Sequence, residues 1–112
     1  MNLRWMPQTA ALVLLGLCLA GPGQAEPNER QLALFANNCM QCHARPGIGV
    51  PLAGDAVAWK ERVAQGEERM LLNVVYGLRG MPPLGYCSAC SESDFRVLIR
   101  LMGGLPDPVP AP

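Results

Sequence analysis

Five consecutive residues, Cys39-Met40-Gln41-Cys42-His43, constrain this 112-residue chain more than any other feature. Two thiols stand one helical turn apart, and an imidazole follows directly. That order fits covalent attachment of a c-type haem: each thiol adds across a porphyrin vinyl group as a thioether, and His43 meets the iron from the same side. A bare CxxC pair is shared with thioredoxin-like motifs and zinc sites. The histidine favours haem, and the rest of the chain must then supply an oxidising address, a second iron ligand and a small helical wrapper.

The N-terminal stretch supplies the address. Arg4 gives a thin positive start, Ala10 to Ala20 is a compact apolar run, and Gly23-Gln24-Ala25 offers small residues for cleavage. The run is short of the roughly 20 residues that a spanning helix needs. Residues 1–25 are therefore expected to be a cleaved signal peptide directing export to the periplasm, with Glu26 first in the mature chain. A retained anchor is the competing reading. Cys18 does not fit a lipidation site, because Leu17 before it is larger than the small residue usual there.

Without that segment the chain is one small domain, in which an apolar core alone is marginal and a cross-link or cofactor usually helps. Losing Arg4 turns nine basic and nine acidic residues into eight and nine, one net negative charge. With no basic run and 5% aromatic residues, nucleic acid is not an expected partner. Four cysteines remain, Cys39, Cys42, Cys87 and Cys90, in a compartment where unliganded thiols tend to pair.

Along the mature chain the apolar spacing is helical. Asn28 and Gln31 form a capping-box start, with Leu32 and Phe35 on one stripe and Leu34 at its border, and this helix runs into the cysteine motif. Arg45 to Gly54, punctuated by Pro46, Gly47, Gly49 and Pro51, reads as a loop. Asp55 caps a helix through Trp59 and Val63 that stops at Gly66. Glu67 to Tyr76 carries Met70, Leu71 and Val74 and stops at Gly77. Leu78 to Ser91 reads as loop. Ser91 and Asp94 then cap a helix bearing Phe95, Leu98, Ile99 and Met102, which ends at Gly103-Gly104. The domain is expected over residues 26–104, with a Pro-rich tail, 105–112, that is disordered or extended. No strand-like alternation occurs, so the expected class is all-α.

His43 is the only histidine, which excludes a bis-histidine haem within one chain. Methionine is the natural alternative ligand, since a thioether favours reduced iron. Met40 sits between the tethered cysteines and cannot cross to the far face. Met70 and Met102 fall at helical spacing with core residues. Met81 instead lies in a loop after Gly80, with Pro82-Pro83 stiffening the backbone behind it. It is the expected distal ligand; a loop methionine covering a core edge is the alternative. Cys87-Ser88-Ala89-Cys90 lacks a following histidine and is not a second haem motif. It reads as a local disulfide that holds the Met81 loop against the last helix. A four-thiolate zinc site with the first pair and a redox-active dithiol remain open alternatives.

Together these residues resemble the class I c-type cytochromes, and within them the bacterial cytochrome c5 group, from about Phe35 to Met102. The matching pieces are Cys39-x-x-Cys42-His43, Pro51-x-x-Gly54-Asp55, Trp59, Gly80-Met81-Pro82-Pro83 and Cys87-x-x-Cys90. The resemblance implies a small cytochrome c-like fold, helices and loops wrapped around one covalently bound haem c. It also implies His43/Met81 coordination and single-electron carriage. Pro51 is expected to offer its carbonyl to the proximal imidazole, and Trp59 to pack beside the propionates. The first and last helices should cross near Phe35 and Leu98. Two departures stand out: relatives often carry lysine where Leu52 and Leu84 stand, which makes the surface near the haem edge more apolar. Arg45, Lys60, Arg62 and Arg79 are the local cations.

The function expected is a soluble periplasmic electron carrier that is not an enzyme, serving redox partners such as an oxidase, reductase or dehydrogenase. The alternatives are a haem enzyme or gas sensor, which requires a labile Met81, a haem-free thiol or zinc protein, and a haem subunit of a larger complex.

Overall fold

The computed structural model describes residues 26–105; the expected signal peptide and the tail from Pro106 onward lie outside the described residues. Helix α1 (Glu29–Leu34) opens with the expected reciprocal cap. Asn28 Oδ1 accepts from the Gln31 N–H at 2.9 Å, and Gln31 Oε1 accepts from the Asn28 N–H at 3.1 Å. The chain then widens into one π turn, Phe35–Cys39, before the short α2 (Met40–His43). One continuous helix was the expectation, and apolar spacing does not announce an inserted residue of this kind. The Asn38 side-chain amide donates to the Leu34 carbonyl at 2.9 Å, adding a bond at the irregular turn. Leu34 and Phe35 face the core, whereas Leu32 is 47% exposed, which corrects the predicted Leu32/Phe35 stripe.

Residues 44–55 form the expected loop. Asp55 Oδ1 accepts from the Val57 and Ala58 N–H groups, both at 3.1 Å, and starts α3 (Ala56–Ala64). Gly66, at φ +88°, turns the chain into α4 (Glu67–Tyr76), and Gly77 ends that helix at φ +80°. The segment expected to be plain loop has local order. Leu78 and Met81 exchange backbone hydrogen bonds, and Pro83–Tyr86 makes a 3₁₀ turn. Helix α5 (Glu92–Gly103) follows its Ser91/Asp94 capping box. Among the described residues the class is all-α, with one isolated bridge.

The core is built on α5. Phe95, Ile99 and Met102 pack with Trp59 of α3, Met70 and Leu71 of α4, and Cys87. Each such apolar side chain contributes roughly 1.5–3 kcal/mol on burial. Phe35 packs on this cluster, Leu98 is buried outside it, and α1 and α5 are in contact. A Cβ on Gly103 would stand 3.1 Å from Val63 Cγ2 and 3.3 Å from Met70 Cε. Glycine there lets α5 approach α3 and α4 closely. Leu105, assigned to the tail from sequence, packs on the core, and its N–H donates to the Arg100 carbonyl at 3.1 Å.

Polar contacts fix the helix pairs. Arg96 bridges Glu67, Glu68 and Glu92, and Arg100 holds Glu67 at 2.7 Å, tying α4 to α5. Arg30 of α1 grips the Asp94 carboxylate with both contacts at 3.0 Å and donates to the Ala89 carbonyl at 2.9 Å.

Candidate functional site

The cysteine motif occupies the end of the π turn and α2. Cys39 is half-buried and Cys42 is exposed, and both are free thiols. Burial pushes the Cys39 thiol above its ordinary value.

His43 ends α2 and is 9% exposed. Its Nδ1 lies 2.7 Å from the Pro51 carbonyl. A carbonyl only accepts, so Nδ1 is the donor in this contact and Nε2 is the nitrogen left for another partner. Among the described residues Nε2 has no hydrogen-bond partner, and no buried side-chain nitrogen or oxygen lacks one, so Nε2 opens to accessible space. The loop is also tied back by the Ala53 N–H, which donates to the His43 carbonyl at 2.9 Å.

Trp59 packs beside the imidazole, with ring centroids 5.6 Å apart. Its indole N–H donates to the Leu52 carbonyl at 2.7 Å. That donor is already engaged within the protein, so Trp59 supports the His43 loop. The Arg62 guanidinium lies over the indole, 6.0 Å from the ring centroid.

Met81 sits at the far end of a two-residue turn. Its N–H donates to the Leu78 carbonyl at 2.9 Å, and its carbonyl accepts from Leu78 N–H at 3.1 Å. Pro82 continues in extended form at φ −71°, ψ 157°. The following 3₁₀ turn packs on both α4 and the Phe35–Cys39 turn, which brings the Met81 loop beside the cysteine motif. Met70 and Met102 are buried in the core, 6% and 7% exposed. Cys87 and Cys90 are joined as a disulfide. With that pair bonded, Cys87 and Cys90 have no thiolates to give a four-thiolate zinc site.

Sequence reasoning passed over Gly77. A Cβ there would stand 2.7 Å from the Met81 carbonyl oxygen, so the glycine admits the Met81 loop against the end of α4. Its place at a helix end disguised it as a simple stop signal. Leu84 and Tyr86, both at positive φ, left no signal either, because glycine or asparagine is the usual sign of that conformation.

The donor set fits a covalently held haem: two free thiols one helical turn apart, an imidazole held through Nδ1 with its Nε2 free of protein partners among the described residues, and a thioether on a braced loop. Ile48 and Leu78, from the loops beside His43 and Met81, are each about half exposed and offer apolar surface of the kind a porphyrin face covers.

Comparison with known proteins agrees. Residues 26–102 match the family described as cytochrome C oxidase, cbb3-type, subunit III. Cytochrome c5 from Ectopseudomonas mendocina is 38% identical over 74 residues, spanning 64% of this chain and 85% of that protein. Cytochrome c5 from Azotobacter vinelandii is 36% identical, over 64% of this chain and 89% of its own. A solved structure of an electron transfer complex of nitrite reductase with cytochrome c contains a chain with a TM-score of 0.61 at 31% identity, covering 69% of this chain and 94% of that one. The chain thus belongs to the class I c-type cytochromes of the cytochrome c5 group, electron-transfer proteins that carry covalently bound haem c.

Proposed function

We propose that this chain is a periplasmic carrier of single electrons whose haem iron is held between His43 and Met81. The observation that carries the reading is the 2.7 Å contact between His43 Nδ1 and the Pro51 carbonyl. It fixes the tautomer, orients the ring and leaves Nε2 as the donor toward iron. Cys39 and Cys42 would hold the haem as thioethers, and Met81, on a loop braced through Leu78, would supply the second iron ligand. When bound, haem supplies the one-electron couple, and a thioether opposite an imidazole raises its potential. The protein's own part is to keep both ligands in place in either oxidation state, so that little rearranges when an electron moves. Pro51, Trp59 and Gly77 do this on the two sides.

Residues 1–25 act as a cleaved export signal, 26–104 form the haem domain and the Pro-rich residues that follow are a tail. Among the described residues no helix is long and apolar enough to cross a membrane. The partners are redox enzymes, of the kind represented by the nitrite reductase in the similar solved complex. The matching family's description favours a second reading, a haem subunit of a larger oxidase. Purification from periplasm as a monomer supports the carrier; co-purification with a membrane complex supports the subunit.

The ligand assignment is tested by optical spectra. Ferric wild-type protein is expected to show the weak far-red charge-transfer band of His/Met coordination, and Met81→Ala to lose it. A ferric spectrum unchanged in Met81→Ala contradicts the assignment.

A further inference from the structure

Between Met81 and the disulfide, three successive residues lie in the left-handed region: Leu84 at φ +61°, Gly85 at φ +52° and Tyr86 at φ +63°. No other described stretch does this. Two of the three carry side chains, whose Cβ crowds the next carbonyl, so the run reverts to right-handed geometry unless its surroundings hold it. Tyr86 is not held by its ring, which is 81% exposed. The restraints lie on the two flanks. Upstream, Met81 and Leu78 are locked by their paired hydrogen bonds. Downstream, the Cys87 N–H donates to the Leu84 carbonyl at 2.8 Å, Cys87 is 2% exposed, and its sulfur is bonded to Cys90, which adjoins the Ser91 cap of α5.

The run also touches the ligand. Met81 Cε lies 3.6 Å from where a Cβ on Gly85 would stand, so the thioether rests over the middle residue of the turn. We propose that the Cys87–Cys90 disulfide holds the left-handed Leu84–Tyr86 turn and through it fixes the Met81 thioether for iron, making Leu84, Tyr86 and the two cysteines positioning residues of the electron-transfer centre. Opening the bond frees Cys87, releases the turn and moves the surface beneath Met81, while the body built on α5 keeps its packing. The inference rests on Met81 being the iron ligand.

The test uses ferric holoprotein and imidazole as a competitor for the sixth position. Cys87→Ala/Cys90→Ala should weaken the far-red band and tighten imidazole binding about tenfold, with far-UV circular dichroism unchanged. Adding Tyr86→Gly, which accepts positive φ without strain, should return imidazole affinity toward wild type. A disulfide that only stabilises the fold is not rescued by a change at this exposed side chain. If the double variant does not fold, wild-type ferrous holoprotein is treated with a dithiol, which is oxidised to its cyclic disulfide as Cys87 and Cys90 become thiols. Carbon monoxide should then bind about tenfold faster. Unchanged imidazole affinity, an unchanged carbon monoxide rate, or no rescue by Tyr86→Gly overturns the proposal. Met81→Ala separates the two ideas. If it binds imidazole no more tightly than wild type, the ligand assignment and this inference both fall. If it binds more tightly and the cysteine variant does not, only the inference falls.

Discussion

Met81 is placed by backbone rather than by side-chain packing. Two hydrogen bonds to Leu78 set its height, Pro82 sets the exit direction, and Gly77 lets the carbonyl approach the end of α4. Gly77 has φ +80° and ψ 160°, a region that only glycine occupies comfortably. Gly77→Ala is therefore expected to cost about 2–3 kcal/mol from backbone strain and to push Met81 outward. Denaturant unfolding should show the loss, and the far-red band should weaken with it. An unchanged midpoint together with an unchanged band contradicts this role. The motif cysteines, His43 and Met81 stand out in the sequence as candidates because each is singular: one CxxCH, one histidine, one methionine in a proline-stiffened loop. Gly77, Leu84 and Tyr86 were not, since their importance lies in φ angles and in a close approach between segments that apolar spacing does not encode.

At the level of elements, the junction of α1 with α5 turns on Asp94. Its carboxylate accepts from the Ser91 N–H and hydroxyl, both at 2.9 Å, from Arg30, and from Gln31 Nε2 at 3.1 Å. The Ser91 backbone bond, followed by those from Arg30 and Gln31, holds the Asp94 carboxyl well below the usual carboxylate range. A depressed pKa in the folded state contributes stability that is fully present above the unfolded value, about 3.9, and is lost as pH falls toward the folded value. Asp94→Asn should thus lower the melting temperature at neutral pH, with the gap to wild type narrowing below about pH 4. Thermal melts followed by circular dichroism check this, and a gap independent of pH contradicts it. The capping boxes of α1 and α5 and the Asp55 cap of α3 were readable from sequence, because capping is local chemistry. The π turn and the Leu78–Met81 bridge were not. Both answer to tertiary demands: one re-aims the cysteine motif while α1 stays docked on α5, and the other braces a loop.

The described residues form a small helical body with the candidate ligands on the α2 turn and on the Met81 loop, an arrangement that suits electron exchange without remodelling. The all-α class followed from period and caps, whereas the share of the core contributed by α5 became visible only once Phe95, Ile99 and Met102 met Trp59, Met70 and Leu71. Leu52 and Leu84, where relatives often carry lysine, are both half-buried. Docking to a redox partner should therefore depend less on charge steering than is usual for such carriers. Stopped-flow electron-transfer rates are expected to change little between low and physiological ionic strength; a steep fall with added salt contradicts that expectation. The central claim is that one haem lies between His43 and Met81, and proton NMR of the reduced protein tests it most directly. A methyl group bound at the iron sits in the porphyrin ring current, so wild type should show one three-proton signal far upfield of all others, and Met81→Leu should lack it. An upfield methyl that survives in Met81→Leu, or its absence from wild type, would contradict the assignment.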